Sequence, residues 1–358
     1  MSENQPESWL LENLEFFLPE GWERHLPPRP FPYAPLLELM IVCHHGAASD
    51  RLVAAAAALA RRAIAEPRFR QIVAAPGRNL PFLIWFLGLA AAAGIDCEQD
   101  LLACQHYLHA GLRPSLDGVG ALELAYAAKL AGLDPRLPSA AALYERWRAG
   151  QLLNPLHMSN ADCYAVTHAI FYRTRFGQES MPGDDELQWV MRLLVHERMH
   201  CGDHDLGSEL IHAMNLLPAP PGSTPPRDEG RGWVEQLQLA QREDGYVAGP
   251  TRDEAFTQTL TGLRARAYTF GTGYHTTLVT RHALWRTSRA YLATGDDDVC
   301  ISSDWDRLAV RAARRNDLDA LAGLVDAGST PDSKLWHAAH HLVTASRTAQ
   351  HASPDAVP

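Results

Sequence analysis

Segments with helical patterning follow one another along almost the whole chain, and this feature restricts its fold more than any other. Alanine runs at residues 54–58 and 90–93 favour helix intrinsically and allow two helices to approach closely. No stretch of β-branched residues alternates over more than a few positions, and no Asn-Gly pair joins two candidate strands. The pattern therefore predicts an all-α protein of about a dozen or more helices.

Three layouts accommodate so many short helices: a bundle, a helical-repeat solenoid, or a closed α/α toroid of inner and outer helices. A solenoid requires a fixed repeat period, and the sequence shows none. We therefore predict an (α/α) toroid and keep the helical-repeat solenoid as the alternative.

Proline-rich and polar stretches suggest how the chain is divided. Residues 1–34 are a Pro-rich N-terminal segment, and residues 35–346 are predicted to form a single α/α helical domain. A Pro-rich linker is expected within that domain at residues 218–231, since the prolines there disfavour regular structure. The polar residues 347–358 are predicted to form a disordered tail.

Composition and charge exclude several classes of partner. The formal net charge of −10 and the pI of about 5.9 argue against sequence-independent binding to nucleic acid. The longest apolar stretch, residues 80–94, is too short to span a membrane, and the N-terminus has no signal-peptide pattern. The six cysteines form no CxxC pair and are typical of reduced thiols. We expect a soluble, cytoplasmic protein, for which the 46% hydrophobic content leaves a homodimer open.

A short turn motif favours the toroid. Gln241, followed by Asp244, Gly245 and Tyr246, resembles the Gln-x-x-Asp-Gly-aromatic turn of the terpenoid-cyclase and protein-prenyltransferase group. In those α/α-toroid proteins the turn ends an outer helix, the Gln caps helix ends and the aromatic ring stacks beneath. The chain lacks the cyclases' Asp-x-Asp-Asp acid motif and a match to the prenyltransferase zinc ligands. The resemblance therefore implies an architecture and no particular activity.

Three polar blocks, at residues 164–172, 203–210 and 274–277, carry a second resemblance. They are similar to signature blocks of an uncharacterised actinobacterial family often met beside natural-product genes. The resemblance implies a role in bacterial specialised metabolism but assigns no catalytic residue.

The densest run of polar residues contains Asp205, Glu209 and His212. Their spacing of four and then three residues places all of them on one face of a helix. Two carboxylates beside an imidazole suit a hard or borderline divalent metal, and they suit general acid/base chemistry equally well. The alternative is a solvent-exposed acidic face with a surface histidine.

His168 lies in the middle of a predicted helix, with Tyr164 one turn before it and Tyr172 one turn after it. Hydroxyl-bearing side chains in this arrangement are typical of a ligand pocket, whereas a lone histidine on an apolar face is otherwise a core residue. His275 follows the residues 271–274, Gly-Thr-Gly-Tyr, which predict a flexible loop that delivers Tyr274 and His275 to a helix start. An exposed first-turn position for His275 is the alternative.

Two further patterns would bind metal in other proteins. Residues 43–46, Cys-His-His-Gly, resemble the Cys-His-Gly step in the zinc site of the lanthipeptide cyclases, but the additional Cys ligand of that site has no counterpart. The two Glu-x-x-His pairs, at residues 197–200 and 209–212, match those of di-iron bundles but stand close together in the sequence.

Together these patterns predict an enzyme of bacterial specialised metabolism that cyclises or rearranges a mostly apolar small molecule or peptide in a central cavity. The expected cofactor is a divalent metal ion; no nucleotide-binding motif is present. The alternative is a non-catalytic helical-repeat interaction module without an enclosed pocket. The residues predicted to be metal ligands or acid/base groups are His168, Asp205, Glu209 and His275, and those predicted to contact substrate are Tyr164, Tyr172 and Tyr274.

Overall fold

Helices follow one another through the molecule, as the sequence pattern indicates. The structure, a computed structural model, describes residues 5–111, 118–218, 227–293, 308–310, 312–313, 315–327 and 334–351. In these ranges there is no β-strand, and the one isolated bridge joins Gln241 to Val247. The prediction of an all-α protein is confirmed. The α-helices are α1 (Gln5–Glu12), α2 (Pro19–Glu23), α3 (Ala34–His44), α4 (Asp50–Ala65), α5 (Pro67–Ala74), α6 (Leu80–Ala92), α7 (Glu98–His109), α8 (Val119–Leu130), α9 (Ala140–Ala149), α10 (Asn160–Thr174), α11 (Asp185–His200), α12 (His204–Met214), α13 (Arg227–Ala240), α14 (Glu254–Gln258), α15 (Gly262–Ala293), α16 (Leu318–Ala327) and α17 (Lys334–His351).

Side-chain caps fix where the important helices begin. Ser159 and Asp162 form a capping box at the start of α10, in which the Ser159 hydroxyl accepts from the Asp162 amide and the Asp162 carboxylate accepts from the Ser159 amide. Asp203 accepts a hydrogen bond from the amide of Leu206 and so caps α12. These caps set the rotation of the polar residues that α10 and α12 carry.

Six of the described helices contact one another in a closed order, and we call them the ring helices. In this order α3 contacts α6, α6 contacts α8, α8 contacts α10, α10 contacts α12, α12 contacts α15, and α15 returns to α3. The helices α4, α7, α9, α11 and α13 pack against members of the ring. The ring helix α6 is buried along most of its length, whereas α4 buries a single stripe of leucine and alanine. Each ring helix from α3 to α12 is thus followed in the chain by at least one helix that lies outside this closed order.

The N-terminal segment is part of the core. Trp9, Phe16, Phe17 and Trp22 are all buried and pack their rings against Phe270 of α15. The sequence analysis assigned no helix before residue 35, but the structure forms α1 and α2 there. Burial of these large aromatic side chains supplies the stabilisation that holds the segment against α15.

The predicted loop at residues 271–274 is wrong, because α15 runs through it without a break. An added Cβ would lie 2.8 Å from a Leu26 methyl group at Gly271, and 2.8 Å from the Tyr246 ring at Gly273. These glycines therefore allow other segments to approach the helix closely and do not provide flexibility.

The predicted linker and tail differ in part from the structure. Helix α13 begins at Arg227, so the last residues of the linker predicted at 218–231 are helical, while 219–226 lie outside the described residues. Helix α17 extends to His351, into the predicted tail, and residues 352–358 are outside the described ranges. A smaller apolar core joins α16 and α17 to Leu156 and Leu193.

Among the described helices, none alone is long and apolar enough to cross a membrane. Two consecutive helical stretches, Pro67–Ala74 and Gly77–Ala92, reach that length and composition together, but they are bent by 93°. The second stretch contains α6, whose apolar side chains are buried in the core.

Candidate functional site

A cavity of about 200 Å³ lies among the ring helices, and every ring helix contributes to its wall. Most of the wall is apolar or aromatic, but it also contains glutamates and histidines from α3, α8, α10, α12 and α15. An apolar pocket with a few convergent polar groups is the usual form of a small-molecule site. The lining side chains are those of Ala34, Leu37, Glu38, Ile41, Val42, Phe82, Trp85, Glu123, His168, Phe171, Tyr172, Phe176, Glu209, His212, His275, Leu278, Val279 and His282.

Glu209 is the centre of the polar part of this wall. It is only 3% exposed, and its two carboxylate oxygens face different histidines. Nε2 of His168 lies 3.5 Å from one oxygen, and Nε2 of His275 lies 3.4 Å from the other. The hydroxyl of Thr167 donates a hydrogen bond of 2.8 Å to the oxygen nearer His168. Two imidazoles from different helices thus converge on one buried carboxylate.

Asp205 lies one turn before Glu209 on α12 and faces one of the same two histidines, His275. Tyr164 donates a hydrogen bond of 2.5 Å to one of its oxygens, and Thr276 donates one of 2.6 Å to the other. Nε2 of His275 is 3.8 Å from the oxygen that Tyr164 holds. Asp205 is therefore fixed by two hydroxyls behind the cavity wall.

Two glutamates that the sequence analysis did not select complete the arrangement. Nδ1 of His275 lies 3.0 Å from a carboxylate oxygen of Glu38, so the two nitrogens of this ring face different carboxylates. Glu123 accepts a hydrogen bond of 3.2 Å from the hydroxyl of Tyr172. Each of these glutamates is the only acidic residue in an otherwise apolar helix, α3 or α8, and this was the available signal. We call Glu38, His168, Asp205, Glu209 and His275 the charged cluster.

The charges within this cluster stabilise one another. Burial disfavours the ionised form of Glu209, but His168 and His275 hold its pKa below the ordinary value. Burial also disfavours both imidazolium ions, but Glu209 raises the pKa of His168 and Glu38 raises that of His275. The carboxylates therefore favour the protonated form of both histidines, beside an ionised Glu209.

The two imidazoles of the charged cluster can be reached from the cavity. The side chains of His168 and His275 are 41% and 37% exposed, although they lie deep within the ring. Since both line the cavity, this exposed surface faces its interior. A bound molecule would therefore contact both of them directly.

A second group of histidines has the opposite character, and we call His45, His212 and His282 the neutral cluster. The rings of His212 and His282 lie 4.0 Å apart, and His45 stacks on Phe176 at 4.4 Å. Burial lowers the pKa of His45 to about 2 and that of His282 to about 3, and it lowers the pKa of His212 well below its ordinary value. Neighbouring histidines or Arg286 add to each shift, so all three rings are uncharged at neutral pH.

The structure brings together only part of the predicted site. His168, Tyr172, Glu209 and His275 line the cavity, while Tyr164 and Asp205 lie directly behind its wall. The exposed acidic face considered as an alternative is wrong, because Asp205, Glu209 and His212 are 6%, 3% and 4% exposed.

Tyr274 requires a correction, since it was predicted to contact substrate. Its ring is 1% exposed and packs against Phe17, Trp22 and Phe270 in the aromatic core. Because α15 is helical here, Tyr274 points away from the cavity face that carries its neighbour His275.

The sequence patterns that predicted metal ligands can be compared with the structure. Within the described ranges, no group of three or more His, Cys, Asp or Glu side chains is arranged to hold a metal ion. Burial raises the pKa of Cys43 to about 12, which disfavours the thiolate that zinc would need. Glu197 is paired with Arg198 at 2.9 Å and is not among the residues that line the cavity.

The fold and site together define an all-α protein with a buried, partly charged cavity. The sequence pattern of a domain family of unknown function, DUF6895, matches residues 5–284, and the chain belongs to this family. The matched region contains every residue that lines the cavity. No curated protein and no solved structure matches the chain.

Proposed function

We propose that this chain is an enzyme of bacterial specialised metabolism that binds a small, mostly apolar molecule in the cavity and transfers protons to and from it. The observation that supports this proposal is the position of Glu209, a buried carboxylate between two imidazoles at an otherwise apolar wall. The proposed role in specialised metabolism comes from the similarity of the blocks at 164–172, 203–210 and 274–277 to a family found beside natural-product genes.

A buried charged cluster is rarely the most stable choice for a protein interior, which supports a catalytic role for this one. Transfer of charged groups from water to a protein interior is unfavourable, and well-packed apolar residues often stabilise a fold as well or better. Strongly shifted pKa values of several groups at one cavity are typical of acid/base sites. A cluster that served only the fold would not need two imidazoles exposed to the cavity.

The geometry gives each residue a distinct role. His168 and His275 present Nε2 towards the cavity side of Glu209, so either can protonate a carbonyl oxygen or a double bond of the bound molecule. After rearrangement or ring closure, the same imidazole takes a proton back, and charge is conserved. Glu38 holds Nδ1 of His275 and so orients that ring. Glu209 stabilises both imidazolium ions.

We infer the toroid layout from the closed order of the ring helices. In a solenoid the first and last repeats do not meet, whereas here α15 returns to α3. The turn predicted from the toroid families also follows the end of α13: Asp244 and Gly245 form a turn in which the Arg242 amide donates to the Tyr246 carbonyl. The Tyr246 ring then stacks on Trp9 at 5.4 Å.

The volume of the cavity favours a small molecule over a peptide. An engineered cavity of about 150 Å³ in another protein holds one benzene molecule. A cavity of about 200 Å³ is therefore large enough for one ring with a few substituents. The interaction-module alternative, which predicted no enclosed pocket, does not account for this space. The described cysteines form no disulfide with one another, which supports the cytoplasm as the proposed location.

Activity profiling tests the proposal. We would incubate the protein with a small-molecule extract of its source organism and follow the compounds by mass spectrometry. Glu209→Gln should slow consumption of the substrate by about 10²–10⁴-fold, because the imidazoles lose their counter-charge. Glu197→Gln is the matched control, since Glu197 is equally buried but does not line the cavity. An extract unchanged by the wild-type protein, or equal turnover by Glu209→Gln, would contradict the proposal.

The metal form of the proposal has its own test. A divalent ion bound by His168, Asp205, Glu209 and His275 would act as a Lewis acid in the same position. Metal analysis of protein purified without an affinity tag should then find about one ion per chain. A metal-free protein whose activity is unchanged by a chelator would contradict the metal form, and only the acid/base form of the proposal would remain.

A further inference from the structure

His212 and His282 line the cavity, and each has a buried ring nitrogen without a hydrogen-bond partner among the described residues. The two side chains are 4% and 3% exposed. Within the described parts of the chain, Nε2 of His212 and Nε2 of His282 have no hydrogen-bond partner. Buried polar atoms in native proteins are rarely left in this state, and such atoms indicate a group that binds there.

The third member of the neutral cluster shows what the other two lack. Nε2 of His45 lies 3.1 Å from the hydroxyl of Tyr126, so the fold supplies a hydroxyl partner to this imidazole. Apart from each other, His45 and Trp285, the rings beside His212 and His282 are apolar. Phe171 lies 4.6 Å from His212, and Phe176 is parallel to His282 at 6.3 Å. A partner for these two nitrogens must therefore come from within the cavity.

The uncharged state of these rings restricts that partner. A neutral imidazole has one N–H donor and one acceptor nitrogen, and a hydroxyl group can satisfy either of them. The two rings themselves offer no positive charge to an anion, since burial lowers the pKa of His282 to about 3. A cation is disfavoured by Arg286, whose charge contributes to the same pKa shift.

The distance between the clusters restricts the length of the molecule. His212 follows Glu209 by three residues on α12, and His282 follows His275 by seven on α15. At the helical rise of 1.5 Å per residue, these steps correspond to about 4.5 and 10.5 Å along the two helices. A ring with two substituents opposite each other has a length between these two values, and it also fits a cavity of about 200 Å³.

We propose that the cavity binds an uncharged monocyclic hydroxyl compound, a phenol or a cyclic alcohol, whose hydroxyl pairs with Nε2 of His212 and His282. The ring lies against the apolar wall and extends towards the charged cluster. This inference rests on the proposed function, because it names the class of substrate for the same cavity.

Calorimetric titration with three matched probes tests the inference. 4-Methylphenol carries the hydroxyl, toluene lacks it, and 4-methylbenzoate replaces it with an anion. 4-Methylphenol should bind at least about tenfold more tightly than toluene, because toluene leaves both nitrogens unpaired. 4-Methylbenzoate should not bind at the same concentrations. Equal affinities for 4-methylphenol and toluene, or no binding of 4-methylphenol, would overturn the inference.

Two substitutions test whether His212 and His282 cause the preference for 4-methylphenol over toluene. His212→Leu and His282→Leu remove the polar atoms but keep apolar bulk, so each should reduce the preference for 4-methylphenol over toluene to about threefold or less. Retained toluene affinity shows that the variant is folded. An unchanged preference in both variants would place the hydroxyl elsewhere and contradict the inference.

A measurement on the unmodified protein keeps the inference testable if these variants do not fold. Addition of 4-methylphenol should shift the ¹⁵N resonances of His212 and His282 and leave that of exposed His157 unchanged. Unshifted resonances at saturating 4-methylphenol would overturn the inference.

Glu209→Gln separates this inference from the proposed function. The variant should lose turnover and keep the preference for 4-methylphenol, because its hydrogen-bonding nitrogens are intact. A wild-type protein that shows the preference but consumes no compound refutes the proposed function alone. A wild-type protein that consumes a compound but shows no preference refutes the inference alone.

Discussion

The two ends of the cavity contain the same residue type with its pKa shifted in opposite directions. His168 and His275 have a raised pKa, whereas His212 and His282 have a lowered one. Burial acts in the same direction on all four, since it disfavours the imidazolium ion. The difference is the presence of carboxylates: Glu209 faces the first pair, and other histidines and Arg286 face the second. The charge of the neighbouring residues, and not the degree of burial, therefore decides whether the pKa of each histidine is raised or lowered.

The largest expected effect of this contrast is a stability maximum near pH 6.5. The histidines of the neutral cluster have lowered pKa values in the folded state. Their contribution to the free energy of unfolding is therefore present above pH 6.5 and is lost as the pH falls towards those pKa values. Below pH 6.5, each of His45, His212 and His282 should lower the free energy of unfolding by roughly 1.4 kcal/mol per pH unit. The charged histidines have raised values, so their contribution is present below 6.5 and is lost as the pH rises through those values.

Urea unfolding at a series of pH values measures this profile. The free energy of unfolding should fall on both sides of the maximum, more steeply on the acid side. His282→Leu should make the acid side shallower and leave the alkaline side as it is. A flat profile between pH 5 and 7 would show that the three buried rings are not neutral in the folded state.

The second largest effect is expected for Glu209→Gln, which removes the carboxylate that distinguishes the two ends. Loss of one partner of a fully buried ion pair costs about 3–5 kcal/mol. Since His168 and His275 are 41% and 37% exposed, we expect a smaller loss, about 2 kcal/mol. NMR titration should also show lower pKa values for both imidazoles. A variant with unchanged histidine titration would show that Glu209 does not set their charge.

A smaller effect, of opposite sign, is expected at the neutral end. His282→Leu removes a buried nitrogen that has no partner within the described chain and should stabilise the ligand-free protein by about 1 kcal/mol. His45→Leu is the control, because it breaks the contact with Tyr126 and should destabilise the protein. Thermal unfolding compares the two variants. A loss of stability in both would mean that His282 has a structural partner.

The smallest effect is expected for Tyr164→Phe, behind the charged cluster. Asp205 loses one of two hydroxyl donors but keeps the hydrogen bond from Thr276. We expect a loss of about 1 kcal/mol in the free energy of unfolding, measured in urea. Thr276→Val provides the reciprocal test, and the double variant should lose more than the two single losses together. Additive losses would show that the two donors act independently.

Sequence periodicity predicts most of this fold, because caps such as Ser159 and Asp203 and apolar spacing are local features. It fails at Gly271 and Gly273, since a glycine in a loop and a glycine under a packed side chain look alike in sequence. The buried role of α1 and α2 was also missed, because their aromatic partner, Phe270, is distant in the chain.

The part of the candidate site that sequence spacing predicts best is the part whose residues repeat on one helix. Asp205, Glu209 and His212 share a face of α12, and this spacing is visible in the sequence. Glu38 and Glu123 stand alone in apolar helices, so their roles depend on neighbours from other helices. The opposite pKa shifts of the two histidine pairs likewise require the three-dimensional arrangement of charge.

Helices α12 and α15 each carry one residue of both clusters, with Glu209 and His212 on the first and His275 and His282 on the second. The gap between the acid end and the neutral end is therefore set by the pitch of two continuous helices and cannot adjust to the occupant. One residue inserted between His275 and His282 would rotate them relative to each other by about 100°. The continuity of α12 and α15 thus holds the two clusters in one fixed register along the cavity wall.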